Sequence, residues 1–205
     1  MTRVTFGMYR KGVREPATTL TSAAAANAGF TLVTPMRTAQ AAIVRHHRES
    51  PAAARARLHQ SFRNSDYWGP SGTPQARGWA RVIRELYDVY DGLTQGDART
   101  AFAYGVERDI ALGADALGVR ADVVLLDPAG YVPRVVLWDR NDLSRARAIE
   151  YGAPVWRAME DELGDGRVAA VEVWALGGPM LHTVTPAQAT AAMGQVARVV
   201  HRLVH

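Results

Sequence analysis

The chain has 205 residues, 48% of them apolar and 21% charged, with a formal net charge of +4. That is the balance of a folded protein with a substantial core, and it excludes a disordered chain. With no cysteine there can be no disulfide, thiolate nucleophile or cysteine-held zinc or iron–sulfur site, so any metal must take oxygen or imidazole ligands.

Lys11 is the only lysine, so nearly all the positive charge is arginine and a mechanism needing a central lysine has almost no candidate. The skew fits a GC-rich bacterial genome and is compatible with phosphate-bearing partners without demanding them. Residues 1–12 carry no apolar leader, and no stretch approaches the roughly 18 uninterrupted apolar residues of a membrane span. The expectation is a cytoplasmic protein without membrane contact.

In chain order, the first part reads as helical. The alanine-rich segment 17–30 begins with threonines suited to capping, and 35–50 and 51–62 each open on a proline, a favoured first-turn residue. Residues 63–74 collect glycine, proline, serine and asparagine and read as a linker. Over 75–93, Trp79, Val82, Ile83, Leu86, Val89 and Tyr90 recur at helical spacing, making an amphipathic helix. Three runs rich in β-branched residues follow, 106–112, 119–126 and 133–138, and their tight connections favour antiparallel pairing. A helix over about 142–163, a strand over 168–176, a short strand after Gly178 and a last helix capped at Thr185-Pro186 complete the chain.

The order predicts an α/β protein: a mixed sheet with a β-β-β-α-β-α core, flanked by helices and preceded by a helical N-terminal part. The length fits one compact unit, with a helical region and linker over 1–74 and the core over 75–205.

Hairpin arithmetic then brings acids together. Folding the second and third strands about Gly130–Tyr131 sets Asp122 opposite a residue near Asp139. Folding the first two about Ala114–Asp115 sets Glu107 opposite Asp122. Cross-strand partners share a face, so Glu107, Asp122 and Asp139 would form a row of carboxylates able to hold a hard cation, Mg²⁺ or Mn²⁺. The competing reading leaves each acid at a solvated strand end or paired with an arginine.

With Asp122 in 121-ADVVLLD-127, the charged end of 135-VVLWDRN-141, and a following helix that carries Tyr151, the second half resembles the PD-(D/E)XK nuclease superfamily, particularly its Cas4-like and RecB-like exonuclease branch. The likeness covers about residues 106–200. It implies metal-dependent phosphodiester hydrolysis, with Asp122 matching the family's first acid. Leu137 stands where the second acid belongs and Asp139 where the lysine belongs, while Arg147 replaces a glutamine four residues before Tyr151. Asp139 would be the substitute ligand beside Asp122, with Glu107 as a further catalytic acid and Arg140, Arg147 and Tyr151 as nucleic-acid contacts. An arginine cannot replace a proton-accepting base. The resemblance therefore implies either a shifted active site or, as the favoured reading, a pseudonuclease that keeps the fold to bind DNA, RNA or a protein partner.

Arg45, His46, His47 and Arg48, followed by Arg55, Arg57, His59 and Arg63, make the densest basic region. It is a candidate nucleic-acid groove, with Tyr67-Trp68 nearby for base stacking, or else a solvated helical face. Adjacent histidines cannot both serve one metal from the same helix side, which disfavours zinc there. Serine-hydrolase, P-loop and dinucleotide fingerprints are absent. Trp138, Trp156 and Trp174 read as core, and the apolar face of the last helix as core or a subunit contact.

Overall fold

In a computed structural model the chain is described over residues 2–14, 37–63, 74–138 and 143–205. The elements are β1 (Thr2–Val4), α1 (Phe6–Arg14), α2 (37–48), α3 (Pro51–Arg63), α4 (Pro74–Thr94), β2 (Thr100–Leu112), β3 (Asp115–Asp127), β4 (Gly130–Leu137), α5 (Arg145–Leu163), β5 (Val171–Ala175), β6 (Met180–Val184) and α6 (Pro186–Val204). The helix expected over 17–30, most of the 63–74 linker with Tyr67-Trp68, and the residues Asp139 and Arg140 lie outside the described residues.

The six strands form one open mixed sheet, ordered β1-β3-β4-β5-β6, with β2 on the other edge of β3. β2, β3 and β4 are antiparallel, as their tight turns require, and α5 carries the chain across to β5, which runs parallel to β4. β1 and α1 occupy residues for which no individual element was expected, within the region 1–74 read as helical. β1 pairs in parallel with the start of β3 at Asp115–Leu117, whereas β4 pairs with its end at Val123–Asp127. Residues 118–122 of β3 therefore face a gap between β1 and β4, and Arg120 and Asp122 lie in it.

Both faces of the sheet are covered. Val135, Leu137, Val171, Val173 and Ala175 pack with residues of α1, α5 and α6, while Val136, Trp138, Trp174 and Leu176 pack with residues of α2, α3 and α4. That alternation along β4 and β5 is the two-residue period of a strand buried on both sides. Trp138 and Trp174 are core, as their setting in apolar strands suggested.

Local chemistry explains the helix ends. Ser144 caps α5 by accepting from the Arg147 backbone N–H, and Thr185 and Gln188 form a reciprocal capping box on α6 with Pro186 in the first turn. Pro154 lies inside α5 and has no N–H for the Glu150 carbonyl four residues earlier. The Tyr9 hydroxyl donates to that carbonyl instead, at 2.9 Å. Burial, with help from Glu150, pushes the Tyr9 phenol well above its ordinary range, so it remains a donor. At the far end of α5, the buried Glu160 carboxylate accepts from the Gly166 and Val168 backbone N–H groups and fixes the turn into β5.

The hairpin registers differ from those expected. The β3–β4 turn is Asp127-Pro128-Ala129-Gly130, with Asp127 paired to Gly130 and the Asp127 carboxylate accepting from the Ala129 N–H. This is turn chemistry, with acid, proline and glycine at favoured positions. Its centre lies two residues before Gly130–Tyr131, which moves every partner by four, and Asp122 is carried to the level of Val135 rather than Asp139. The β2–β3 turn closes at Leu112↔Asp115, which sets Glu107 opposite Arg120 rather than Asp122.

Candidate functional site

Arg120 is the centre of the acidic arrangement. Its Nη1 donates to Glu107 Oε1 at 2.7 Å and its Nε to Asp122 Oδ1 at 3.1 Å, so one guanidinium bridges two of the expected carboxylates. The other oxygen of Asp122, Oδ2, accepts the Val136 backbone N–H at 2.8 Å. Asp122 thus takes over a β4 backbone donor just where β4 parts from β3. Gly105 makes room for the guanidinium: its φ is +56°, and a Cβ there would come within 3.2 Å of Arg120 Nη2.

Asp122 is 3% exposed. Burial raises its pKa, opposed by the charge of Arg120, the Val136 N–H, the Arg120 hydrogen bond and the more remote charge of Arg10. Both carboxylate oxygens are thus committed to protein donors, and the positive charge that a divalent ion would supply is supplied by arginine. Glu107 does share this site with Asp122, with Arg120 between them.

The expected nucleic-acid contacts separate. Arg147 lies in the first turn of α5. Tyr151, one turn further on, is fully buried, with the Arg10 guanidinium 5.4 Å from its ring centroid. Its ring belongs to the core and has no face for a base. Arg10, which also acts on Asp122, is the neighbour common to both. On the helical side, Arg45 pairs with Glu49 at 2.8 Å, and Arg55 with Asp88 at 3.2 Å and Asp91 at 2.7 Å. Arg48 is exposed, and no carboxylate lies within ion-pair distance of it among the described residues. A cavity of about 140 Å³ opens between α3 and α4, lined by Arg55, Leu58, His59, Arg84, Tyr87 and Asp88.

His46 and His47 turn inward. His46 Nδ1 lies 3.0 Å from the Tyr87 hydroxyl, and His47 Nε2 lies 2.6 Å from that of Tyr90. Burial is the main cause that lowers the pKa of both, to about 4 for His47. Both are neutral hydrogen-bonding residues at neutral pH.

A second polar centre had no counterpart in the sequence reading. Arg134 is fully buried, stacked 3.7 Å from the centroid of the Trp174 ring. Its Nε donates to Glu172 at 2.8 Å and its Nη2 to Asp97 at 2.6 Å. Arg99 bonds the same two acids, and Trp174 Nε1 donates to Glu172 at 3.1 Å. The available signal was a lone charge in each of two apolar strands, in 133-PRVVLW-138 and 171-VEVWA-175. Such charges need partners when buried. This box joins the loop before β2 to β4 and β5.

A three-donor grouping with metal-ligand spacing lies elsewhere among the described residues, at Asp115, His201 and His205.

No family model matches the chain, and no curated protein matches it. Among solved structures, the crystal structure of SSO0001 is similar over 82% of this chain and 73% of that one, at 12% identity and a TM-score of 0.37. No described helix is long and apolar enough to cross a membrane.

Proposed function

We propose that the chain is a nucleic-acid-associated, PD-(D/E)XK nuclease-like protein in which catalysis is lost or severely impaired. The reading rests on the sequence resemblance, and the strand order β2-β3-β4-α5-β5 is consistent with it. The observation that carries the loss of catalysis is Arg120, held between Glu107 and Asp122. Metal-assisted hydrolysis needs carboxylates free to hold an ion that activates water. A guanidinium satisfies the same carboxylates but can neither bind water as a Lewis acid nor accept its proton. Mg²⁺ or Mn²⁺ enters only if Asp139 supplies what Asp122 has given up.

Nucleic-acid association is supported by Arg48, Arg57 and Arg84, exposed arginines of α2–α4 without a carboxylate partner among the described residues, the last of which lines the cavity with His59 and Tyr87. Phosphate contacts of this kind are independent of sequence and weaken with salt. Wild type, Asp122→Ala and Asp139→Ala are compared for Mg²⁺- or Mn²⁺-dependent cleavage of DNA and RNA. No cleavage by any of them is expected, and cleavage that either substitution abolishes restores the catalytic reading. In filter binding, salt-sensitive retention of DNA or RNA is expected and is weakened when Arg48, Arg57 and Arg84 are changed together. No retention at low salt removes the nucleic-acid half of the proposal.

One observation favours a protein-binding module on the same fold. Phe102 and Leu126 are exposed, and Phe102 packs 4.8 Å, centroid to centroid, from Tyr131, the cross-strand partner of Leu126. An apolar group at a sheet end suits a protein contact. Absence of nucleic-acid binding, together with concentration-dependent assembly that Phe102→Ser abolishes in ultracentrifugation, would favour this reading.

A further inference from the structure

We infer that Asp115, His201 and His205 form a binding site for a first-row transition cation of the Zn²⁺ type, which clasps the C-terminal turn of α6 to the sheet. Asp115 opens β3, fixed between its turn partner Leu112 and its parallel partner Thr2 on β1. Its side chain is 6% exposed, and its Oδ2 lies 3.7 Å from His201 Nδ1 and 3.7 Å from His205 Nε2. Those distances are too long for hydrogen bonds. They approach the ~3.4 Å separation of two ligands that each stand about 2.1 Å from a tetrahedral ion.

All three donor atoms lie within 4.8 Å of one another. The histidines are four residues apart, so they share one helix face, and their ring centroids are 4.5 Å apart. Both rings are more than half exposed, at 71% and 57%, so an ion can enter from water and keep a solvent-facing position. The site also lies at the end of α6 where the helix carries partial negative charge, which favours a cation. Two imidazoles and one carboxylate select a borderline cation such as Zn²⁺ over Mg²⁺, which requires oxygen ligands.

The test is calorimetric titration of chelator-treated full chain with ZnCl₂, with MgCl₂ as the comparison, alongside thermal unfolding. Expected is one Zn²⁺ per chain, no Mg²⁺ binding, and a rise in Tm of ~5–10 °C at a hundredfold excess over Kd. His201→Ala and His205→Ala alter exposed positions and leave the fold intact. Each should weaken Zn²⁺ binding by more than the ~100-fold upper cost of losing an outer partner of a ligand. His59→Ala, in the α3–α4 cavity, should leave it unchanged. Absence of Zn²⁺ heat and of any Tm rise, or binding that survives the double change at His201 and His205, overturns the inference.

Discussion

Replacing Arg120 by Met tests how far the guanidinium offsets the burial of the Asp122 carboxyl inside the protein. The substitution preserves the length of the stem and removes the charge. Asp122, 3% exposed, would keep the Val136 N–H and the remote charge of Arg10 but lose its ion-pair partner. Removing one partner of a buried pair costs about 3–5 kcal/mol. The retained backbone donor and the 21% exposure of the Arg120 side chain set the expectation at the low end. A loss of about 3 kcal/mol corresponds to a fall in Tm of ~6–12 °C for a chain of this size.

The pH dependence has a definite sign. Burial raises the folded-state pKa of Asp122, opposed mainly by Arg120. A carboxyl raised above its unfolded value, about 3.9, favours the fold when protonated, and that contribution is lost as pH rises through the folded pKa. Without Arg120 the pKa rises further, so the loss grows as pH rises above about 3.9 and is expected to be larger at pH ~8 than at pH ~5. Asp122→Asn in the Arg120→Met background keeps an acceptor for Val136 and should recover most of the loss. Urea unfolding of wild type and the two variants at both pH values measures this. A loss below ~1 kcal/mol near pH ~8, equal losses at both pH values, or no rescue by Asp122→Asn would refute the reasoning. Restoration by Mg²⁺ in place of the guanidinium would instead indicate that the carboxylate can still take a metal.

Arg134→Met should cost about 3 kcal/mol in urea unfolding, because it removes one partner from a buried set in which Arg99 still serves Asp97 and Glu172. Combined with Glu172→Leu, the total should fall short of the sum by ~0.5–3 kcal/mol, and strict additivity would mean that the two do not act as a unit. For His47, whose pKa is lowered to about 4 chiefly by burial, the unfolded state binds the proton more readily. Its contribution is present above the unfolded value near 6.5 and is lost as pH falls towards about 4. His47→Gln should therefore flatten the decline of Tm across that window, and an unchanged decline would count against the buried neutral assignment.

Much of the second half was legible because its signals are local. β-branched runs, an Asp-Pro-Ala-Gly turn and a Thr185-Pro186 cap each act within a few residues, and the strands and helices they imply are those observed. Register was harder to read, because moving a hairpin centre by one residue moves every cross-strand partner by two. The late centre at Gly130–Tyr131 set Asp122 beside Asp139, although proline and glycine already marked the turn at 127–130. β1 is three residues long and α1 nine, too short for periodicity to register, and both are stabilised by packing on β3 and α6.

The sequence alone determined the α/β class, the order of the core elements, the exclusion of cysteine chemistry and the near-absence of lysine, because composition and short-range periodicity carry that information. It also brought Glu107 and Asp122 into one neighbourhood. Only the tertiary structure decided what neutralises them, since Arg120 can reach both only when β2 and β3 take their actual register. The same holds for Arg134 with Asp97 and Glu172, and for Asp115 with His201 and His205. Charges distant in the chain meet where strand pairing and helix packing bring them, and no local pattern encodes that meeting.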